Sequence, residues 1–169
     1  MNNFGLVVIG AHSGIWLQSL LDEHKDQNIL LVEPVPYNIA LLKENTAKYK
    51  NITIETSAVS EKNEIKKFYY VKHDAVKKLG KHWASGIGSF DKQHILNHKY
   101  KRFMVTDIDI EEIDVQYLTF SNLMKKYSVS SIDLLQIDVE GAEFKILNSI
   151  NFEKIEIKKI IFEFKHFDG

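Results

Sequence analysis

Residues 5–14 read GLVVIGAHSG, an apolar run that ends in a turn bounded by Gly10 and Gly14. Such a run is typical of a buried strand, and the apolar residues at helical spacing that follow predict a helix over 14–25. A glycine turn between a strand and a helix lets the backbone approach a ligand and directs helix N–H groups toward it. This stretch therefore predicts the first strand of an α/β sheet at 5–10 and a ligand-binding turn after it.

The rest of the chain repeats this alternation of apolar runs and amphipathic stretches. We predict further strands at 29–33, 52–57, 65–71, 105–110, 132–138 and 157–164, and further helices at 37–50, 119–128 and 140–150. Residues 72–104 show no clear pattern. Strands and helices in succession favour a mostly parallel, doubly wound sheet with helices on both faces.

Length and composition narrow the possible functions. The 169 residues fit one domain over 1–169, and the absence of cysteine excludes a disulfide framework, a thiolate zinc site and a cysteine nucleophile. A net charge of -1 gives no general attraction to nucleic acid or acidic lipid. No apolar run reaches the roughly 18 residues of a membrane span, and the start shows no signal-peptide pattern. We expect a cytoplasmic protein that binds neither nucleic acid nor membrane.

The second predicted strand ends in Glu33, 23 positions after Gly10. An acid at this place accepts hydrogen bonds from ribose hydroxyls in nucleotide-binding sheets. The turn lacks the third glycine of G-x-G-x-x-G, which favours a nucleoside such as S-adenosylmethionine over a dinucleotide. The alternative is that Gly10 and Gly14 only allow a tight turn and that Glu33 is a solvated strand end.

The strand at 132–138 ends in Asp138, and Glu140 and Glu143 follow closely. Ligands of open α/β sheets bind at this edge, so the carboxylates are candidates for a site. The alternative is helix capping, with Asp138 as the N-cap and the two glutamates favourable near a helix N-terminus. Capping is favoured for Glu143, and both interpretations stay open for Asp138 and Glu140.

Four segments together resemble one family. The segment IDLLQIDVEGAEFKIL (132–147), followed by IIFEF (160–164), is similar to the hallmark of FkbM-like methyltransferases. LLVEPVPYNIALLKEN (30–45), Ala58-Val59-Ser60 and Ser85-Gly86-Ile87-Gly88-Ser89 resemble further segments of that family in the same order. The resemblance runs from about residue 6 to 164, nearly the whole chain.

The resemblance implies a Rossmann-like class I methyltransferase fold with S-adenosyl-L-methionine as methyl donor. It also implies O-methylation of a hydroxyl on a sugar or small metabolite. We expect donor contacts from Gly10, Ala11, His12, Ser13, Gly14, Glu33, Pro34, Ala58, Val59 and Asp138, and acceptor contacts from Ser85, Ser89 and Glu163. A hydroxyl acceptor must lose its proton, and the candidates for this general base are Asp138 first, then Glu140 and His166.

Three departures from the family pattern stand out. Val8 occupies the position where the family usually has an acid, and the usual extension before the first strand is missing. The closing strands that class I methyltransferases add after the fifth parallel strand are also missing in part. An edge left open in this way is exposed or covered by a partner, such as a second copy in a homo-oligomer. These departures keep open a catalytically inactive, methyltransferase-like binding module, whereas the missing glycine disfavours a nicotinamide-dependent oxidoreductase.

A basic insert is predicted at about 72–104. Between residues 72 and 102, seven lysines and one arginine face only two acids, a balance of +6, with four of the seven histidines interspersed. Such an insert beside the donor pocket suits an anionic acceptor, such as a nucleotide-linked sugar. The alternative is a solvated surface. His94 and His98 are four positions apart, but two histidines without a nearby carboxylate are too few for a metal site, so none is expected.

Overall fold

A computed structural model describes residues 2–80, 82–97, 105–139 and 141–163. The elements in chain order are β1 (Asn2–Ile9), α1 (Gln18–Glu23), β2 (Asn28–Val32), α2 (Pro36–Thr46), β3 (Ile52–Glu55), β4 (Ala58–Val59), β5 (Glu64–Val71), α3 (His73–Leu79), β6 (Gly88–Ser89), α4 (Lys92–Leu96), β7 (Ile110–Leu118), α5 (Phe120–Lys126), β8 (Val129–Ile137), α6 (Glu143–Ser149) and β9 (Glu156–Phe162). Short 3-10 helices lie at Ile15–Leu17, His82–Gly86 and Asp107–Asp109. Among the described residues, no helix is long and apolar enough to cross a membrane.

The chain forms two compact units. The first comprises Met1–Glu64 and Gln116–Gly169, and the second comprises Ile65–Val115. The predicted basic insert falls within the second unit. The single domain over 1–169 stays a prediction.

The first unit contains a five-stranded sheet in the order β3-β2-β1-β8-β9, and each neighbouring pair of strands is parallel. The chain winds outward from β1 through β2 to β3, and β8 then pairs with the opposite side of β1. The strand order therefore reverses between β1 and β8, which is the point where open α/β sheets bind ligands. The predicted α/β architecture with a mostly parallel sheet is confirmed.

Alternate residues of β1 enter different cores, because successive side chains of a strand point to opposite faces. Leu6 and Val8 belong to a buried cluster that includes residues of α1 and α2. Val7 and Ile9 belong to a second cluster that includes residues of α5 and α6. Helices thus cover both faces of the sheet, as the alternation of elements predicts.

The prediction of a strand at 105–110 is wrong, because Asp107–Asp109 form a 3-10 helix and the strand runs over Ile110–Leu118. A capping box stabilises this helix: the Asp109 carboxylate accepts bonds from the Thr106 hydroxyl (2.6 Å) and the Thr106 N–H (2.9 Å). The bond from the Thr106 hydroxyl is the main cause of the lowered pKa of Asp109. Alternating apolar residues alone do not reveal such a cap.

The second unit has its own small core around α3 and α4, which includes Val71, Ala84, Ile87 and Ile95. Within it, β5 lies between β7 and β6, and it pairs with β6 in antiparallel orientation. Part of its basic charge is neutralised by neighbouring acids. Lys67 lies 3.3 Å from both Glu112 and Asp114, and Lys92 lies 2.5 Å from Asp107.

Candidate active site

The carboxyl edge of the five-stranded sheet brings four of the predicted site residues into one row. Backbone bonds continue the strand pairing just beyond the strand ends, so each residue sits beside the end of a neighbouring strand. In each bond the N–H of the site residue donates to the carbonyl of a residue on the neighbouring strand. The pairs are Glu33 to Glu55 (3.0 Å), Gly10 to Val32 (3.0 Å), Asp138 to Ile9 (2.9 Å) and Glu163 to Ile137 (3.4 Å).

Only glycine fits at position 10, because the end of β8 occupies the space that a side chain would need. Its φ is 89°, a left-handed conformation, and a Cβ atom there would overlap the carbonyl oxygen of Asp138. The turn and the end of β8 therefore meet backbone to backbone at the reversal of strand order. This close approach lies at the edge where open α/β sheets bind ligands.

The turn after β1 is held in an uncommon conformation. His12 and Gly14 also have positive φ, 50° and 72°, and this conformation costs a residue with a side chain roughly 1–2 kcal/mol. The His12 N–H donates to Glu33 Oε2 (2.9 Å), and the amide of Asn45 on α2 donates to the Ser13 carbonyl (2.8 Å). The neighbouring Ala11 is buried in the core. Glu33 and Asn45 thus fix the backbone of the turn.

Glu33 is only 5% exposed, so the interpretation as a solvated strand end is wrong. Besides the bond from His12, its Oε1 accepts bonds from the Val35 N–H (3.0 Å) and from the Asn38 amide (3.3 Å). Burial raises the pKa of Glu33, and these three bonds partly oppose the rise. A carboxylate has about four acceptor positions, so about one remains for a ligand hydroxyl.

The loop after β8 depends on Glu143, which is 1% exposed. Its carboxylate accepts bonds from the N–H groups of Val139 (3.1 Å) and Gly141 (3.0 Å). The predicted place of Glu143 at a helix N-terminus is confirmed, but its carboxylate binds N–H groups of the preceding loop and none of the helix. Helix α6 begins at Glu143 with Ala142 as its N-cap, so the alternative of Asp138 as the N-cap is wrong. Asp138 is exposed at the edge.

The remaining predicted residues lie in several places. Ala58 and Val59 are buried and form β4, which pairs with the end of β7, and Pro34 is half-buried beside Glu33. Ser85 and Ser89 belong to the second unit, where the Ser89 hydroxyl accepts a bond from the Asp91 N–H (3.1 Å). Glu140 and His166 lie outside the described residues.

Sequence reasoning missed a polar network at the end of β3. The buried Glu55 carboxylate accepts bonds from the Tyr127 hydroxyl (2.7 Å), the Lys126 ammonium (2.6 Å) and the Ser57 N–H (2.9 Å). Burial raises the pKa of Glu55, but the bonds from Lys126, Tyr127 and Ser57 outweigh it and lower the pKa below its ordinary value. Burial and the bond to Glu55 raise the pKa of Tyr127. No local pattern marks this network, because Tyr127, next to Lys126, lies 72 positions from Glu55 along the chain.

Val8 is fully buried in the cluster beneath α1 and α2. The side chain that stands where the family usually has an acid therefore packs in the core and places no charge near the turn at residues 10–14. Within the described ranges, no three histidine, cysteine, aspartate or glutamate side chains group as a metal site.

The fold and the edge define an α/β protein whose predicted site residues gather where the order of a parallel sheet reverses. The family model described as "Methyltransferase FkbM domain" matches residues 9–169. The chain therefore belongs to the FkbM methyltransferase family. Neither the comparison with curated proteins nor that with solved structures gave a significant match.

Proposed function

We propose that this chain is an S-adenosylmethionine-dependent methyltransferase of the class I type that methylates a hydroxyl on a sugar or small metabolite. One observation carries the proposal: in a member of a methyltransferase family, a turn held by buried Glu33 contacts the backbone of Asp138 at Gly10. A turn for the donor and a carboxylate for the acceptor thus adjoin at the edge where α/β sheets bind ligands.

The residues at the edge fit this donor. Gly10 lets the turn and the end of β8 meet at the edge, and Glu33 keeps about one acceptor position for a ribose hydroxyl. We propose that the donor is held by residues 10–14, Glu33, Pro34, Ala58, Val59 and Asp138. When bound, S-adenosylmethionine supplies a methyl group on a positively charged sulfur.

The protein's own contribution is positioning and proton removal. The turn holds the donor side, and the exposed Asp138 accepts the proton of the acceptor hydroxyl, a role that typically contributes about 10²–10⁴-fold in rate. Glu163, next to the end of β8, and Ser85 and Ser89 orient the acceptor. The lysines of the second unit attract an anionic acceptor such as a nucleotide-linked sugar.

Calorimetry with S-adenosylmethionine, S-adenosylhomocysteine and NAD tests the donor class. We expect the first two to bind and NAD not to bind, because the turn lacks the third glycine of the dinucleotide motif. Release of S-adenosylhomocysteine in the presence of sugar and nucleotide-sugar acceptors then tests turnover. Binding of NAD without binding of either methyl-donor species would overturn the proposal.

The second candidate is a binding module without turnover, and buried Val8 in place of an acid favours it. This candidate predicts donor binding with no methyl transfer to any hydroxyl acceptor tested. Methyl transfer to one defined acceptor, abolished by heat denaturation, excludes it.

A further inference from the structure

Strand β9 is an edge strand of the five-stranded sheet, and among the described strands only β8 pairs with it. Its last three residues are apolar, and Ile161 and Phe162 are 41% and 40% exposed. An exposed apolar edge strand presents backbone N–H and C=O groups with which a second strand can pair. The outer side of β9 is therefore a candidate interaction surface.

Lysine side chains often protect an edge strand from such pairing. β9 has two adjacent lysines, but the Lys158 ammonium lies 2.8 Å from Asp133 of β8, so this side chain extends back over its own sheet. Lys159 is exposed. Its charge is therefore the one that a partner strand has to match.

The direction of the backbone groups limits how a second strand can pair with β9. The Glu163 N–H donates to the Ile137 carbonyl of β8. Successive residues of a strand direct their backbone groups to opposite sides, so those of Ile160 and Phe162 point outward. A second copy of β9 in antiparallel orientation can exchange backbone hydrogen bonds with these two residues.

An antiparallel pairing with its two-fold axis at Ile161 matches both charge and hydropathy. It sets Ile160 of each copy opposite Phe162 of the other, in the hydrogen-bonded positions. It also sets Lys159 of each copy opposite Glu163 of the other. This second pair lies in the non-hydrogen-bonded positions, where facing side chains are closest and opposite charges are stabilising.

Other registers lack this match. A pairing centred on Ile160 sets Lys159 opposite Ile161, and one centred on Lys159 sets two lysines opposite each other. A pairing near the start of the strand opposes Glu156 and Lys158, but it competes with the ion pair that Lys158 already makes. The charges of β9 therefore favour the register centred on Ile161.

We infer that β9 pairs in antiparallel orientation with β9 of a second copy about Ile161, which joins the two five-stranded sheets into one. The same surface serves both copies, as in most two-fold homodimers. An apolar centre between two charged pairs also resembles the core and rim of a protein interface. This inference does not depend on the proposed function.

Sedimentation velocity of the full chain from about 1 to 100 µM tests the pairing, since a short interface suits micromolar affinity. We expect a dimer whose population rises with concentration. Lys159→Glu and Glu163→Lys each place like charges opposite each other twice, so each should raise the dimer Kd about 10-fold or more. Lys154→Glu is the matched control, because it makes the same charge change at an exposed position outside the strand and should leave the dimer Kd unchanged.

A mixture of the two variants separates loss of pairing from loss of folding. In the mixture the facing charges are again opposite in sign, so Lys159→Glu and Glu163→Lys should form a heterodimer although each alone is largely monomeric. Absence of this heterodimer overturns the inference. A monomeric unmodified chain at every concentration overturns it, and so does a dimer that Lys159→Glu leaves intact or that Lys154→Glu weakens equally.

Discussion

Replacing Glu33 with alanine tests the turn and the donor site in one experiment. The substitution removes three bonds to a buried carboxylate, from His12, Val35 and Asn38. Hydrogen bonds to a charged group contribute about 1.5–3 kcal/mol each, but the burial that raises the pKa of Glu33 offsets part of this. We expect a net loss of about 1–3 kcal/mol in the free energy of unfolding, which lowers the melting temperature by roughly 2–12 °C in a chain of this length.

Donor binding should fall further, because the turn loses its support and the ribose loses its acceptor. A loss of about 1.5–3 kcal/mol corresponds to a Kd for S-adenosylhomocysteine that is roughly 10- to 150-fold weaker. Calorimetry measures the affinity and thermal unfolding measures the stability. Glu44→Ala, on the exposed part of α2, is the matched control and should change neither. Values for Glu33→Ala equal to those of the control would refute the role assigned to Glu33.

The pH dependence gives a second check on the same residue. A raised folded pKa means that the stabilisation is fully present below the ordinary value of 4.5 and is lost as pH rises through the folded pKa. Glu55, whose pKa is lowered, has the opposite sign, so its stabilisation is present above 4.5 and is lost as pH falls. The melting temperature of the unmodified protein minus that of Glu33→Gln should fall as pH rises. The melting temperature of the unmodified protein minus that of Glu55→Gln should fall as pH falls. The same sign for both variants would refute the assignment.

Three further predictions concern the turn, the proposed base and the lysines of the second unit. Gly10→Ala should lower the free energy of unfolding, measured with denaturant, by about 3 kcal/mol or more, because the added Cβ meets the Asp138 carbonyl. Gly80 is also left-handed but lies in open space, so Gly80→Ala should lower it by only roughly 1–2 kcal/mol. Equal losses in the two variants would contradict the close approach at Gly10. Asp138→Asn should lower the rate of methyl transfer about 10²–10⁴-fold with little change in donor affinity or melting temperature; a normal rate would remove it as the base. Replacing Lys77 and Lys78 with glutamine should weaken sulfate binding as added salt does, since exposed charges are screened over roughly 8 Å, and unchanged sulfate binding would argue against a role for them.

The sequence predicts the centre of the sheet well because β1 and β2 are apolar runs that are buried on both faces. β1, β2, β8 and β9 lie within three residues of their predicted bounds. The two-residue strand β4 is too short to leave a pattern, and β7 alternates only weakly across Ile110–Leu118. The helix in front of β7 depends on a cap between Thr106 and Asp109, which periodicity does not detect.

The candidate site is predictable in part for a similar reason. Gly10, Glu33 and Asp138 come at strand ends, and parallel strands bring their ends to one edge, so topology alone places them together. The sequence does not predict that Glu33 is buried, because its burial depends on His12 in the turn and Asn38 in α2. The partners of Glu55 are still more distant along the chain, and only the folded structure brings them together.

The order of strands in the sheet also affects how the chain folds during its synthesis. The central strand β1 is synthesised before the other four strands of its sheet, yet one of its two neighbours comes late, since Ile9 pairs with Ile137, 128 positions further on. Until the ribosome has released β8, one side of β1 exposes unpaired backbone groups, and the core shared with α5 and α6 is incomplete. Such distant pairing slows folding and prolongs the exposure of unpaired strand edges, so we expect a chain truncated before β8 to aggregate more readily than the full chain.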